Sequence, residues 1–190
     1  MKKILTLVVF LCAVFAVAQD AAKDQPKTVA SVLNGQLSYP ESELVQLADA
    51  VPDDKYSFAP TQGEFKGART VAEQLKHIGA VNYILGSAMS GEKPPVEVKD
   101  EKGPADMKTK ADFAKYLKDS FAFLHKAYGG LNDKNSLEAL ANPFGGNQKM
   151  TRLDMATIGV GHVWDHYGQL AVYSRMLNIV PPASRPQPKQ

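Results

Sequence analysis

The sequence predicts an all-α fold, a four-helix bundle with long inter-helix loops, on three observations. Apolar residues recur at helical spacing in four stretches of about 20 residues each. A threonine followed three residues later by an acidic side chain opens three of them: Thr70 with Glu73, Thr109 with Asp112 and Thr151 with Asp154. That pairing is the signature of a reciprocal helix cap. No stretch alternates apolar and polar residues as a half-buried strand would. None of the four is apolar all round, so each turns one face toward a shared core.

The chain begins with Lys2 and Lys3, then an apolar run from Ile4 to Val17 and a small-x-small site at Ala16–Ala18. This is the pattern of a secretory signal peptide over residues 1–18, cleaved after Ala18. The expected product is exported, to the periplasm or beyond, with no membrane span remaining. The single cysteine, Cys12, lies within the segment to be removed, which leaves no disulfide, thiol nucleophile or thiolate ligand. Loss of two lysines takes the formal charge from +2 to near zero, which gives no support to nucleic-acid binding. About 170 residues remain, enough to bury a real core.

Residues 19–27 read as a polar leader and residues 28–180 as the bundle. The first helix runs from Thr28 to Ala50, with Val32, Leu33, Leu37, Leu44, Leu47 and Ala48 on one stripe. Pro40 interrupts it, and Ser38 with Glu41 forms a second capping pair, so a kink or a restart is expected there. Residues 51–67 are rich in turn formers, with Tyr56 and Phe58 expected to tuck onto the core. The second helix spans Thr70–Met89, with a buried seam of Val71, Leu75, Ile78, Asn82, Leu85 and Met89, and His77 beside it. Residues 91–108 contain three prolines and many charges and read as a surface loop. The third helix runs from Thr109 to about Tyr128 and stops at Gly129-Gly130. Residues 131–149 are irregular. The fourth helix occupies Met150–Leu177, and a proline-rich tail, 181–190, is expected to be frayed. Linkers of this length are uncommon unless they carry function or cover a site.

The fourth helix holds the chemistry-bearing residues. His162 and His166, two of only four histidines, are four residues apart and so lie on one helical face with Cβ atoms about 5–6 Å apart. Both rings can reach one metal ion, and His77 is the best candidate for a third ligand. Three neutral imidazoles leave coordination positions open, as catalytic sites do. Asp165 or a backbone carbonyl is the expected acceptor for a ring N–H. Gln169 and Tyr173 follow the pair and are candidates to orient a substrate. Glu73 is assigned to its cap rather than to a metal, and His125 is expected to face solvent. Gly159, Gly161 and Gly168 suggest either close helix packing or room beside the histidines. A di-iron site is not supported, since no Glu-x-x-His motif occurs; nor does a Gly-x-Ser-x-Gly elbow.

The segments DDKYSFAPTQGEFKGARTVAEQLKHIGAVNYIL and HVWDHYGQLAVYSRMLNIVPP resemble the DinB-like family of metalloenzymes, and the resemblance covers nearly the whole mature chain. It implies a four-helix bundle that holds a divalent metal, often zinc or nickel, through one histidine of helix two and two of helix four. On this chain those are His77, His162 and His166. The family includes thiol-dependent transferases and isomerases and proteins similar to amide hydrolases. Low-molecular-weight thiols are mainly cytosolic, so an exported member points first to hydrolysis of a small substrate. A metal-dependent thiol S-transferase and a non-catalytic metal- or ligand-binding protein are the alternatives. A homodimer is compatible with such bundles.

Overall fold

In a computed structural model, which describes residues 26–186, four helices form as the capping pairs predict. Helix α1 is Val29–Ala50, α2 is Val71–Ser90, α3 is Lys110–Gly129 and α4 is Arg152–Met176. Thr70, Thr109 and Thr151 each accept from the backbone N–H three residues on, and Glu73, Asp112 and Asp154 return the bond. Thr28 and Ser31 make the same box at the head of α1. The signal segment and most of the polar leader lie outside the described residues.

Helix α1 runs unbroken through Pro40, which is buried. The expected restart does not occur. Ser38 donates instead to the carbonyl of Asn34 (2.8 Å), and Glu41 pairs with His125 Nε2 at 2.8 Å. His125 therefore does not face solvent. It bridges α3 to α1, with Nδ1 2.5 Å from Asn34 Oδ1, because those two helices pack side by side and half-bury it.

Helix α1 packs against α3 and α4, and α2 packs against α3 and α4. Consecutive helices α1 and α2 are thus diagonal, as are α3 and α4. A diagonal step across the bundle end needs a long connection, which accounts for two of the three linkers of roughly 20 residues. The last linker carries a feature that its composition conceals: Ala139–Leu140 and Met150–Thr151 pair as a short antiparallel ladder. Arg152 holds that end shut, donating to the Met89 carbonyl (2.9 Å) and pairing with Glu138.

The core is continuous across the helices, with Leu37, Leu44, Leu47, Ile78, Leu85, Phe121, Leu124, Tyr128, Met155, Val163 and Leu170 essentially sealed from water. Tyr56 tucks under its loop as expected and donates to the Ala48 carbonyl (2.8 Å), stacking beside Phe113. The proline-rich tail is not frayed over its first residues: Pro181 and Pro182 are buried and the Ala183 N–H donates to Tyr167 Oη at 3.1 Å. Among the described residues no helix is long and apolar enough to cross a membrane.

Of the three glycines in α4, only Gly159 is placed by packing. A Cβ there would come within 2.5 Å of the Tyr128 hydroxyl, which donates to the Ala156 carbonyl at 2.6 Å. At Gly161 and Gly168 a Cβ would meet nothing within 4 Å, so close packing does not account for them.

Candidate metal centre

Because α2 and α4 are neighbours, His77 meets His162 and His166 from across the helix interface. The three offer one ligand atom each within 4.8 Å of one another. His77 Nε2 and His162 Nε2 are 3.1 Å apart, and the ring centroids are separated by 4.4–5.0 Å. His77 and His166 are buried and His162 is half-buried.

Each ring is tuned toward its neutral form. Burial lowers the pKa of His77, and the Arg69 guanidinium adds to the effect. Burial also pushes His162 down to about 3 and His166 to about 4, with the neighbouring imidazoles contributing. At neutral pH all three therefore keep a lone pair, the form in which histidine ligates a metal. Three imidazoles suit zinc, nickel, copper or iron better than magnesium or calcium.

The protein satisfies only part of the cluster. His77 Nδ1 donates to the Glu101 carbonyl at 3.1 Å, so its proton sits on Nδ1 and its Nε2 lone pair faces His162. The Nδ1 atoms of His162 and His166 are buried and have no hydrogen-bond partner among the described residues. A buried polar group left so costs about 1–3 kcal/mol. Three clustered, neutral imidazoles, two of them with an unpartnered buried nitrogen, fit a divalent cation, which would give the converging lone pairs a common partner.

The structure identifies the acceptor that the sequence left open. It is a backbone carbonyl, that of Glu101, and not Asp165, which accepts from Gln169 Nε2 at 2.9 Å. Gln169 in turn accepts from Gln74 (2.7 Å), tying α4 to α2 one turn from the trio. Tyr173 is buried and donates to the Arg69 carbonyl at 3.2 Å. Glu73 stays in its cap, accepting from Thr70 N at 2.8 Å.

Glu101 and Arg69 are absent from the reading of the sequence. Glu101 belongs to a turn packed on α2, and its backbone, like that of Asp100, is left-handed (φ 56° and 54°). Such conformations cost non-glycine residues about 1–3 kcal/mol each and concentrate at functional sites. Nothing in a run of alternating charges distinguishes this glutamate. Arg69 leaves a faint mark: a cation beside a helix N-terminus opposes the helix dipole. Both residues line a cleft of about 390 Å³ that opens on His77, together with Lys76 and Lys102.

Depressed histidine pKa values have a thermodynamic consequence. The unfolded chain binds protons below about pH 6.5, whereas folded His162 and His166 stay neutral to about pH 3–4. Their stabilising contribution is thus present above pH 6.5 and is lost as pH falls toward the folded values. Metal-free protein is expected to lose up to ~1.4 kcal/mol per pH unit per histidine between pH 6 and 4. Urea unfolding at several pH values checks this; a His162→Leu, His166→Leu variant should give a flatter profile.

A family model described as the DinB superfamily matches residues 36–170. No curated protein matches the chain. Two solved structures are similar over most of this chain. A DinB-like protein from Bacillus cereus aligns with a TM-score of 0.65 at 19% identity, over 83% of this chain and 98% of the other. A DinB-like protein from Bacillus subtilis aligns with a TM-score of 0.58 at 17% identity, over 82% and 99%. At these identities the structural likeness is one of fold.

Proposed function

Because the chain belongs to the DinB superfamily, we propose that His77, His162 and His166 hold one divalent ion, zinc or nickel, in an exported metal-dependent enzyme acting on a small substrate, most simply by hydrolysis. The observation that carries this reading is the convergence of three neutral imidazoles from two helices, one of which, His77, lines an open cleft. A divalent ion so held supplies Lewis-acid chemistry, lowering the pKa of water toward neutrality and polarising an electrophile.

The chain's own residues divide the remaining work. The Glu101 carbonyl fixes the His77 ring, so that Nε2 points to the cluster. The Glu101 carboxylate, 3.6 Å from His77 Nδ1, lies at the cleft wall and is the group placed to take or give a proton there. That carboxylate favours an enzyme over a purely binding protein. The Gln74–Gln169–Asp165 chain holds α2 and α4 at the separation the trio needs.

Elemental analysis of the purified protein tests the centre. One equivalent of metal is expected, falling to near zero in His162→Ala; equal metal in both would defeat the proposal. Turnover of ester or amide substrates, lost with EDTA and restored by metal, would then separate hydrolysis from thiol transfer, which requires an added thiol.

A further inference from the structure

The cleft beside His77 is unusual in its charge. Arg69, Lys76 and Lys102 all line it, with Glu73 and Glu101. Yet none of the three cations forms an ion pair among the described residues. Glu73 is engaged by the Thr70 backbone and hydroxyl, and the Glu101 carboxylate is turned toward His77. Some surface cations do pair, as Lys126 with Glu92 and Lys115 with Asp119; on this wall three unpaired ones share a single cleft. An all-imidazole centre adds no negative charge of its own, so a divalent ion there would leave the whole region strongly positive.

We propose that this cleft is an oxyanion subsite, in which Arg69, Lys76 and Lys102 receive the carboxylate or phosphate of a small organic anion whose other end reaches the histidine trio. The guanidinium of Arg69 offers paired N–H donors matched to either group, and the lysines supply point charges. A cleft of about 390 Å³ is within the range for small ligands. The role as a substrate subsite rests on the metal-centre reading; binding of the anion does not require the metal.

Backbone amide NMR shifts of the metal-free and zinc-loaded protein are followed at low ionic strength on titration with benzoate, phenyl phosphate and benzyl alcohol. Saturable shifts around Gly67–Thr70 and Lys76 are expected with one or both anions, and none with the alcohol; which anion binds tighter distinguishes a carboxylate site from a phosphate site. Arg69→Met is expected to weaken binding about fivefold or more, Lys76→Met to weaken it less, and added salt to weaken it in the parent protein. The idea is overturned if benzyl alcohol binds as well as the anions, if no anion saturates, or if both variants bind like the parent. His162→Ala separates the two readings: anion binding that persists while metal content never differs from the parent defeats the metal centre alone. Metal bound without anion binding defeats the subsite alone.

Discussion

Zinc or nickel added to the metal-free protein is expected to raise its unfolding midpoint in a concentration-dependent way, and His77→Ala is expected to erase the rise. A ligand that binds only the folded chain stabilises it by RT ln(1 + [L]/Kd), about 4 kcal/mol at a thousandfold excess over Kd. For a domain of this size that is on the order of 10 °C. The three donors come from two helices that are brought together only by folding, so the unfolded chain retains at most the His162–His166 pair. Removing His77 leaves those two rings on α4 with no counterpart on α2. His125→Ala is the control: its ring bonds to Asn34 and Glu41 on α1, so it should lower basal stability and leave the metal-induced rise intact. An equal rise in His77→Ala would mean that metal binds elsewhere.

Gly79→Ala is expected to damage the centre without touching it. Gly79 is on α2, and a Cβ there would lie 2.9 Å from Tyr116 Cδ1 and closer still to Cε1. The Tyr116 ring has no easy retreat, since it is buried and its hydroxyl lies 2.6 Å from where a Cβ on Gly103 would sit. Gly103 follows Glu101 by two residues, so pressure on Tyr116 bears on the turn whose carbonyl holds His77. Overpacking of this kind typically costs about 1–3 kcal/mol, partly offset by alanine's better helix propensity. Disturbing the hydrogen bond that orients a ligand typically lowers metal affinity 10–100-fold. Thermal unfolding of the metal-free protein and a competition titration with a chelating dye measure the two effects. Gly79→Ala, Tyr116→Ala should recover affinity in part; stability and affinity both unchanged in Gly79→Ala would show that the turn does not depend on this contact.

The helices were legible in the residues because their determinants are local. A threonine and an acid three positions apart satisfy orphan N–H groups within one turn, and they set the starts of α2, α3 and α4 to within a residue. Apolar spacing likewise assigned the buried faces, except at Val32, which sits on the edge of the α1 stripe and is exposed. Local pairing did not hold where a long-range partner competed with it. Glu41 is taken by His125 rather than by Ser38, and Pro181–Pro182 dock on the bundle instead of fraying. Two-residue strands are too short to leave any alternation.

The sequence by itself determined four amphipathic helices and placed two imidazoles on one face of the last, because period and capping are properties of neighbouring residues. Only the tertiary structure decided that α2 lies beside α4, which brings His77 to that pair over a sequence separation of 85. It also decided that Glu101, in a turn with no distinguishing pattern, supplies the carbonyl that orients His77, and that three unpaired cations share one cleft. Such juxtapositions depend on how helix faces pack and how long linkers close, and no spacing along the chain encodes them locally.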